Sequence, residues 1–154
     1  MANERNKRVL VVDDDPDVRK LLSSVLNPSG LLVDLASNGE EALDLLRQHT
    51  YAVVLLDLLM PALDGLGVLD ALKAEPIQSA PVVLVLTGAD RGVVERLDPQ
   101  HIHGVVRKPF DPQELAALVV ACSEIKGRGP FGAMAIATMI SGAPILAWLN
   151  RFGG

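Results

Sequence analysis

The sequence predicts an α/β fold in which helices cover both faces of a five-stranded parallel sheet. Short apolar segments, each long enough for one strand, alternate with segments in which apolar residues recur at helical spacing. Polar residues directly follow four of the five predicted strands. Because the carboxyl ends of parallel strands meet at one edge, where open α/β sheets bind ligands, these polar residues should lie together.

The first strand and helix are predicted most clearly. Val9–Val12 is a continuous apolar segment, which is typical of a strand covered on both faces. Asp15 and Pro16 follow as a helix N-cap and a proline at the first helical position. The helix should end at the segment 27–30, which reads NPSG. Its apolar face consists of Val18, Leu21, Leu22, Val25 and Leu26.

The same unit recurs four more times along the chain. A capping box at Ser37–Glu40 is predicted to open the second helix, and Asp111-Pro112 with Glu114 to open the last. A weaker helix is expected around Val93–Leu97. The further strands are predicted at 31–35, 52–56, 82–86 and 105–106; the third helix carries Leu66, Leu69 and Leu72, and the last presents Leu115, Leu118, Val119 and Cys122 on one face.

Composition limits the class of protein. Hydrophobic residues make up 49% of the 154 residues but aromatic residues only 3%, so the core must be aliphatic. The net charge of −5 argues against nucleic acid as a partner. A single cysteine, Cys122, excludes an internal disulfide, and the polar N-terminal residues show no signal peptide. These features favour a cytoplasmic location.

The polar residues at the strand ends have complementary chemistry. Asp13 and Asp14 follow the first strand, Asp57 the third, Thr87 the fourth and Lys108 the fifth. Three carboxylates at one edge require a cation, and an all-oxygen set of this size favours Mg²⁺. With Mg²⁺ and the lysine the site would be neutral and could receive a phosphoryl group, which an ionised aspartate can accept as an acyl phosphate.

Each of these residues has an ordinary structural explanation when considered alone. An aspartate after a strand is more often a helix cap, and Asp15 is expected to be only that. A single threonine can simply end a strand, and a single lysine is usually a solvated surface residue. It is the joint pattern, with one polar group or pair at each successive strand end, that favours a functional site.

The segments VLVVDDD, LLDLLMPALDGLGVL, VVLVLTG and VVRKPFD, in this order, resemble the receiver domain of two-component response regulators. The resemblance is to the chemotaxis-regulator type and covers about residues 7–124. It implies a flavodoxin-like (βα)5 fold that takes phosphate from a histidine kinase or a histidine phosphotransfer protein. We therefore expect a receiver domain at 7–125, a glycine-rich apolar tail at 126–154, and a stand-alone receiver that acts on an unknown downstream protein.

The resemblance also implies roles for individual residues. Asp57 matches the phosphoacceptor, which with Asp13, Asp14 and the backbone carbonyl of Leu59 would hold Mg²⁺. Thr87 matches the switch hydroxyl.

Lys108 matches the lysine that contacts the phosphoryl group, and a cis bond usually precedes the following proline, here Pro109. One departure is Val105, which stands where receivers often have an aromatic switch residue. The phosphorylation chemistry is unaffected by it, whereas the coupling to the outer face is put in doubt.

These residues also allow other functions to be considered for the chain. A degenerate receiver could serve as a phosphorylation-independent docking module. A small Mg²⁺-dependent phosphohydrolase of the haloacid dehalogenase type is less favoured, because Asp17 stands where its D-x-D-x-T signature needs threonine. A flavodoxin-type FMN carrier is rejected, because the aspartates would repel the FMN phosphate. The chain is therefore not expected to be an enzyme beyond its own phosphorylation and dephosphorylation.

The tail contains an uncharged segment of twenty residues, 130–149, which is long enough to span a bilayer. Lys126 and Arg128 precede it and Trp148 lies near its far end, as in a membrane anchor. Its glycine, alanine and proline content also suits a segment that docks on protein, or one without a specific role. Thirty residues of this composition cannot form a DNA-binding output domain, so no nucleic-acid partner is predicted.

Overall fold

The computed structural model describes residues 7–58, 65–74, 81–88 and 102–124. These residues contain five strands and four helices, and a short 3₁₀ helix, Asn27–Ser29, follows the first helix. The strands are β1 (Arg8–Val12), β2 (Leu32–Ala36), β3 (Val53–Asp57), β4 (Val82–Thr87) and β5 (Gly104–Arg107); the helices are α1 (Pro16–Leu26), α2 (Gly39–Gln48), α3 (Gly65–Ala74) and α4 (Pro112–Glu124).

The five strands form one parallel sheet in the order β2-β1-β3-β4-β5. Adjacent strands pair in register, with Val9 opposite Val33 and Val53, and Leu84 opposite Gly104. The predicted fold class is therefore confirmed. The observed strand bounds differ from the predicted ones by one residue, because apolarity locates a strand more closely than it locates its ends.

Two aliphatic layers enclose the sheet. Alternate residues of β1 enter opposite layers, since side chains in a strand alternate between faces. Val9 and Val11 pack with α1 and α4, whereas Leu10 and Val12 pack with α2 and α3. All four predicted face residues of α4 are buried: Leu115, Leu118, Val119 and Cys122. Burial of Cys122 raises the pKa of its thiol to about 11.

Helix α1 begins as predicted, but one predicted face residue is exposed. The side chain of Asp15 accepts a hydrogen bond from the Asp17 N–H, and Pro16 is the first helical residue. Leu22 and Leu26 are fully buried, whereas Leu21 is 42% exposed. The predicted apolar face was one residue too wide, because Leu21 lies at its margin.

The N-cap of α2 is Asn38 rather than Ser37. The Asn38 side chain accepts a hydrogen bond from the Glu41 N–H, and the Glu41 carboxylate accepts from the N–H and the hydroxyl of Ser37. These bonds from Ser37 lower the pKa of Glu41. The capping box therefore exists, but it begins at Asn38 rather than at the predicted Ser37, which is the residue before the N-cap.

A polar cluster that the sequence did not reveal joins β1, β2 and the start of β3. Asp34 Oδ2 accepts hydrogen bonds from Arg8 Nη1 at 2.8 Å and from the hydroxyl of the buried Tyr51 at 2.6 Å. Burial alone would raise the pKa of Asp34, but the Tyr51 and Arg8 hydrogen bonds outweigh it and lower that pKa. The cluster satisfies the only tyrosine hydroxyl of the chain in the interior.

Several predictions fall outside the described residues. These are the Leu59 carbonyl, the helix around 93–97 and the whole tail, 126–154. Within the described ranges, no helix combines the length and apolarity needed to cross a membrane. The segment 130–149 is not among those residues.

Replacing Tyr51 by phenylalanine should lower the free energy of unfolding by about 2 kcal/mol at pH 7, because a hydrogen bond to a charged acceptor is lost. Since the pKa of Asp34 is lowered on folding, the stability that its ionised form provides is present above about pH 4 and is lost as the pH falls further. Urea unfolding of both proteins from pH 7 to pH 3 should therefore show a difference that narrows below about pH 4. A difference that does not change with pH would contradict this role of Asp34.

Candidate functional site

The sheet brings the predicted residues to one edge. Asp13 directly follows β1, Asp57 is the last residue of β3, Thr87 the last of β4, and Lys108 directly follows β5. These four strands are consecutive neighbours in the sheet. The Lys108 N–H donates to the Thr87 carbonyl at 3.0 Å, which fixes the end of β5 against β4. The bond between Lys108 and Pro109 is cis, as expected.

Asp13 is fully buried, and protein groups surround it. Its N–H donates to the Ala36 carbonyl at 3.1 Å. Its Oδ1 accepts from the Asp15 N–H at 2.9 Å, and its Oδ2 accepts from Lys108 Nζ at 2.9 Å. Its main-chain carbonyl accepts from Arg19 Nη1 at 2.7 Å. A carboxylate can be buried in this way because each of its oxygens is hydrogen-bonded and a cation is adjacent.

Three carboxylates of this edge could share a metal ion. Asp13, Asp14 and Asp57 each offer an oxygen, and these oxygens lie within 4.8 Å of one another. Asp57 is only 5% exposed, whereas Asp14 is exposed, so the group opens to solvent on the Asp14 side. The donors are all hard oxygens, and the three negative charges against the one positive charge of Lys108 leave room for a divalent cation.

Lys108 links the two buried carboxylates. Its Nζ lies 2.9 Å from Asp13 Oδ2 and 3.4 Å from Asp57 Oδ2. Burial would lower the pKa of Lys108, but the bonds to Asp13 and the charge of Asp57 outweigh it and raise that pKa. The lysine is therefore a permanent cation at the edge where a phosphoryl group would enter.

Thr87 and Val105 lie beside this charged group. Thr87 is 1% exposed and stands next to the end of β3 in the sheet. Val105, opposite Val85, is partly buried and packs into the layer formed with α2 and α3. The sequence predicts each strand-end residue that lies at this edge but not Arg19, because nothing in the spacing of α1 shows that the Arg19 side chain turns back toward β1.

Most of the chain matches the model of one protein family. The model described as "Response regulator receiver domain" matches residues 9–120. The chain belongs to the response regulator receiver family. Receiver domains are phosphoacceptor signalling modules of two-component systems, so the prediction made from the strand-end residues is confirmed at this level.

Curated relatives agree with the family. The response regulator Rre1 of Synechocystis is 39% identical over 113 residues, which cover 72% of this chain and 49% of Rre1. A probable transcriptional regulator, ycf27 of Guillardia theta, is 38% identical over 120 residues, which cover 77% of this chain and 46% of the relative. The chain thus spans about half the length of the curated relatives it matches.

Solved receiver structures resemble the chain over about three quarters of its length. The receiver domain of the Francisella response regulator 1452 is 28% identical, with a TM-score of 0.69 over 77% of this chain and 97% of that one. The response regulator TrrA of Thermotoga maritima, solved in complex with Mg²⁺-BeF, is 34% identical, with a TM-score of 0.66 over 75% and 98% of the two chains.

Removing the lysine should destabilise this receiver domain. In Lys108→Met, Asp13 would remain buried without its cation, and the free energy of unfolding measured by urea in EDTA should fall by about 2–3 kcal/mol. The exposed Lys20 provides the matched control, since Lys20→Met should change the stability by less than about 0.5 kcal/mol. Adding Asp13→Asn to Lys108→Met should restore part of the loss, because the uncompensated charge is then gone. Equal stabilities of Lys108→Met and the wild type would contradict the pairing.

Proposed function

We propose that Asp57 accepts a phosphoryl group from a histidine kinase or histidine phosphotransfer protein in a Mg²⁺-dependent reaction. The observation that carries the proposal is the group at the sheet edge: Lys108 bridges Asp13 and Asp57, and Asp14 completes a set of three carboxylates within 4.8 Å. These are the components that phosphoryl transfer requires, a nucleophile together with charge neutralisation.

The carboxylates fit Mg²⁺ as the resident cofactor. Asp13, Asp14 and Asp57 would hold it, together with the Leu59 carbonyl, which lies outside the described residues. The relative from Thermotoga maritima, solved with Mg²⁺-BeF, supports this assignment. When bound, Mg²⁺ supplies positive charge for phosphoryl oxygens that would otherwise meet a net negative edge.

The bonds that form and break in the transfer belong only to Asp57 and the phosphodonor. An Asp57 carboxylate oxygen attacks the phosphorus of a phosphohistidine, forming an O–P bond while the P–N bond breaks. The bonding electrons leave with the imidazole nitrogen, which then takes a proton from solvent. Lys108, charged at neutral pH, is placed to bind a phosphoryl oxygen. The product is an acyl phosphate.

The change at Asp57 is proposed to alter protein contacts through Thr87. The Thr87 hydroxyl would be drawn to the new phosphoryl oxygens, and the end of β4 would move with it. Because β5 is bonded to Thr87 through the Lys108 N–H, the ends of both strands should respond together. The shift of population produces output only where a partner binds one state more tightly.

The partners follow from this chemistry as proposals. Phosphate is donated by a histidine kinase or a phosphotransfer protein, and the downstream target is a protein whose identity the chain does not reveal. A cytoplasmic location is proposed because the one cysteine, Cys122, is a free thiol, which suits a reducing compartment. The relative that is named a probable transcriptional regulator is a longer protein, of which this chain matches about half, and that role is said only of the relative.

Treatment with acetyl phosphate and Mg²⁺ should add one phosphoryl group, seen as a mass increase of the intact protein. Asp57→Asn should reduce uptake to background, and EDTA should do the same to the wild type, because nucleophile and metal are both required. Asp17→Asn removes a nearby exposed carboxylate that is not part of the group and should leave uptake unchanged.

Full uptake by Asp57→Asn would contradict the assignment of the nucleophile. Sustained release of product from a phosphomonoester such as p-nitrophenyl phosphate, at many turnovers per protein, would favour the phosphohydrolase alternative instead. Absence of uptake by the wild type, with partner binding that does not depend on phosphate, would favour a phosphorylation-independent docking module.

We propose a domain boundary near residue 125, with residues 126–154 as an appendage. The family match, which ends at residue 120, supports it. A protein truncated at Gly127 should fold and take up phosphate as the full chain does. Fractionation of both proteins with membranes tests the tail: sedimentation of the full chain alone would support an anchor in 130–149, and equal recovery in the soluble fraction would contradict it.

A further inference from the structure

Arg19 is a charged residue of α1 that the proposed reaction does not use. It is the fourth residue of the helix and is half-buried beneath the loop that carries the acidic pair. A cation near a helix N-terminus is opposed by the helix dipole, and the first turn of α1 contains the aspartate that such a position favours. The position of Arg19 therefore needs an explanation outside its own helix.

Two interactions explain it: Arg19 lies close enough to the Glu41 carboxylate of α2 to help lower its pKa, and it makes a hydrogen bond across the β1–α1 loop. Arg19 Nη1 donates to the main-chain carbonyl of Asp13 at 2.7 Å, the short distance typical of a charge-assisted hydrogen bond. That carbonyl and the Asp14 N–H belong to the same planar peptide unit. The guanidinium thus holds the one rigid plane that joins the two acidic residues.

The remaining contacts of Asp13 hold its side chain and its N–H. The Asp13 side chain is held by the Asp15 N–H and by Lys108, and its N–H is held by the Ala36 carbonyl. The Asp15 N–H bond closes a turn around the Asp13–Asp14 peptide, and Arg19 adds a hydrogen bond to the carbonyl oxygen of that peptide itself. Since Asp14 is exposed, the orientation of this peptide decides where its carboxylate points.

We infer that Arg19 is a positioning residue for the metal site: by holding the Asp13–Asp14 peptide it directs the Asp14 carboxylate toward the oxygens of Asp13 and Asp57. The inference rests on the proposed Mg²⁺-dependent function. It extends that function from the carboxylates to a residue of α1 that touches neither the metal nor the phosphoryl group.

Charge and positioning predict opposite effects for the loss of Arg19. Removing a positive charge near three carboxylates would, by Coulomb's law alone, tighten the binding of Mg²⁺. Loss of positioning would weaken it, because outer-shell partners of metal ligands contribute about 10–100-fold to metal affinity. The direction of the change therefore separates the two explanations.

The experiment is a Mg²⁺ titration of the full chain, followed by the amide chemical shifts of isotope-labelled protein. Arg19→Met keeps most of the aliphatic stem but has no donor and no charge, and it should bind Mg²⁺ about tenfold more weakly than the wild type. The Asp14 amide signal should differ from the wild type before Mg²⁺ is added, while the signals of the central strand β3 stay in place. Arg19→Lys, which keeps the charge and one donor, should recover most of the affinity.

Lys20→Met is the matched control, because it removes the same charge from the next residue of α1, whose side chain is exposed. It should bind Mg²⁺ as tightly as the wild type or slightly more tightly. If Arg19→Met does not fold, Arg19→Gln is titrated in its place and should likewise bind Mg²⁺ more weakly than the wild type. The glutamine side chain is uncharged and shorter than that of arginine.

Binding of Mg²⁺ by Arg19→Met as tight as in the wild type, or tighter, would overturn the inference and leave the proposed function intact. No saturable shifts in the wild type would overturn both. A loss of stability in EDTA with an unchanged Mg²⁺ affinity would show that Arg19 only satisfies a buried carbonyl, and it would also overturn the inference.

Discussion

The ion pair between Lys108 and the buried Asp13 is the interaction on which the rest of this site depends. Asp13 has no exposed surface, and an unpaired carboxylate in that position would cost several kcal/mol. Lys108 provides the compensating charge. It follows β5, which β3 and β4 separate from β1 in the sheet. The site can therefore form only if β5 pairs beside β4, which makes the acidic edge a product of the completed sheet rather than of its local sequence.

The same pair explains why the edge is suited to a metal and a phosphoryl group together. Lys108 Nζ lies 2.9 Å from Asp13 Oδ2 and 3.4 Å from Asp57 Oδ2, so one cation serves both buried carboxylates. The net charge of the group is still negative, which attracts a divalent cation to the open Asp14 side. An anionic phosphoryl group then binds favourably only after the cation has bound. For this reason the proposed phosphorylation depends on Mg²⁺.

Much of this arrangement could be predicted from the sequence because it follows from local rules. Apolar segments gave the strands, and the rule for parallel sheets placed Asp57 and Lys108 at a common edge. The errors occurred where a side chain acts beyond its neighbours. Tyr51 and Asp34 are seventeen residues apart in sequence and meet only in the folded sheet. The Arg19 side chain turns back and bonds to the Asp13 carbonyl, which the helical periodicity does not predict. Asn38 rather than Ser37 caps α2, and the sequence could not distinguish them because both residue types suit an N-cap.

Val105 limits how a change at Asp57 can reach the rest of the molecule. Its short branched side chain is already packed in an aliphatic layer opposite Val85, and it has no ring that could swing between two positions. Among the described residues, one connection is through the main chain, since the Lys108 N–H is bonded to the Thr87 carbonyl and couples the ends of β4 and β5 directly. We therefore expect the output of this receiver to depend on contacts near the sheet edge rather than on an aromatic side chain exposed at a distance.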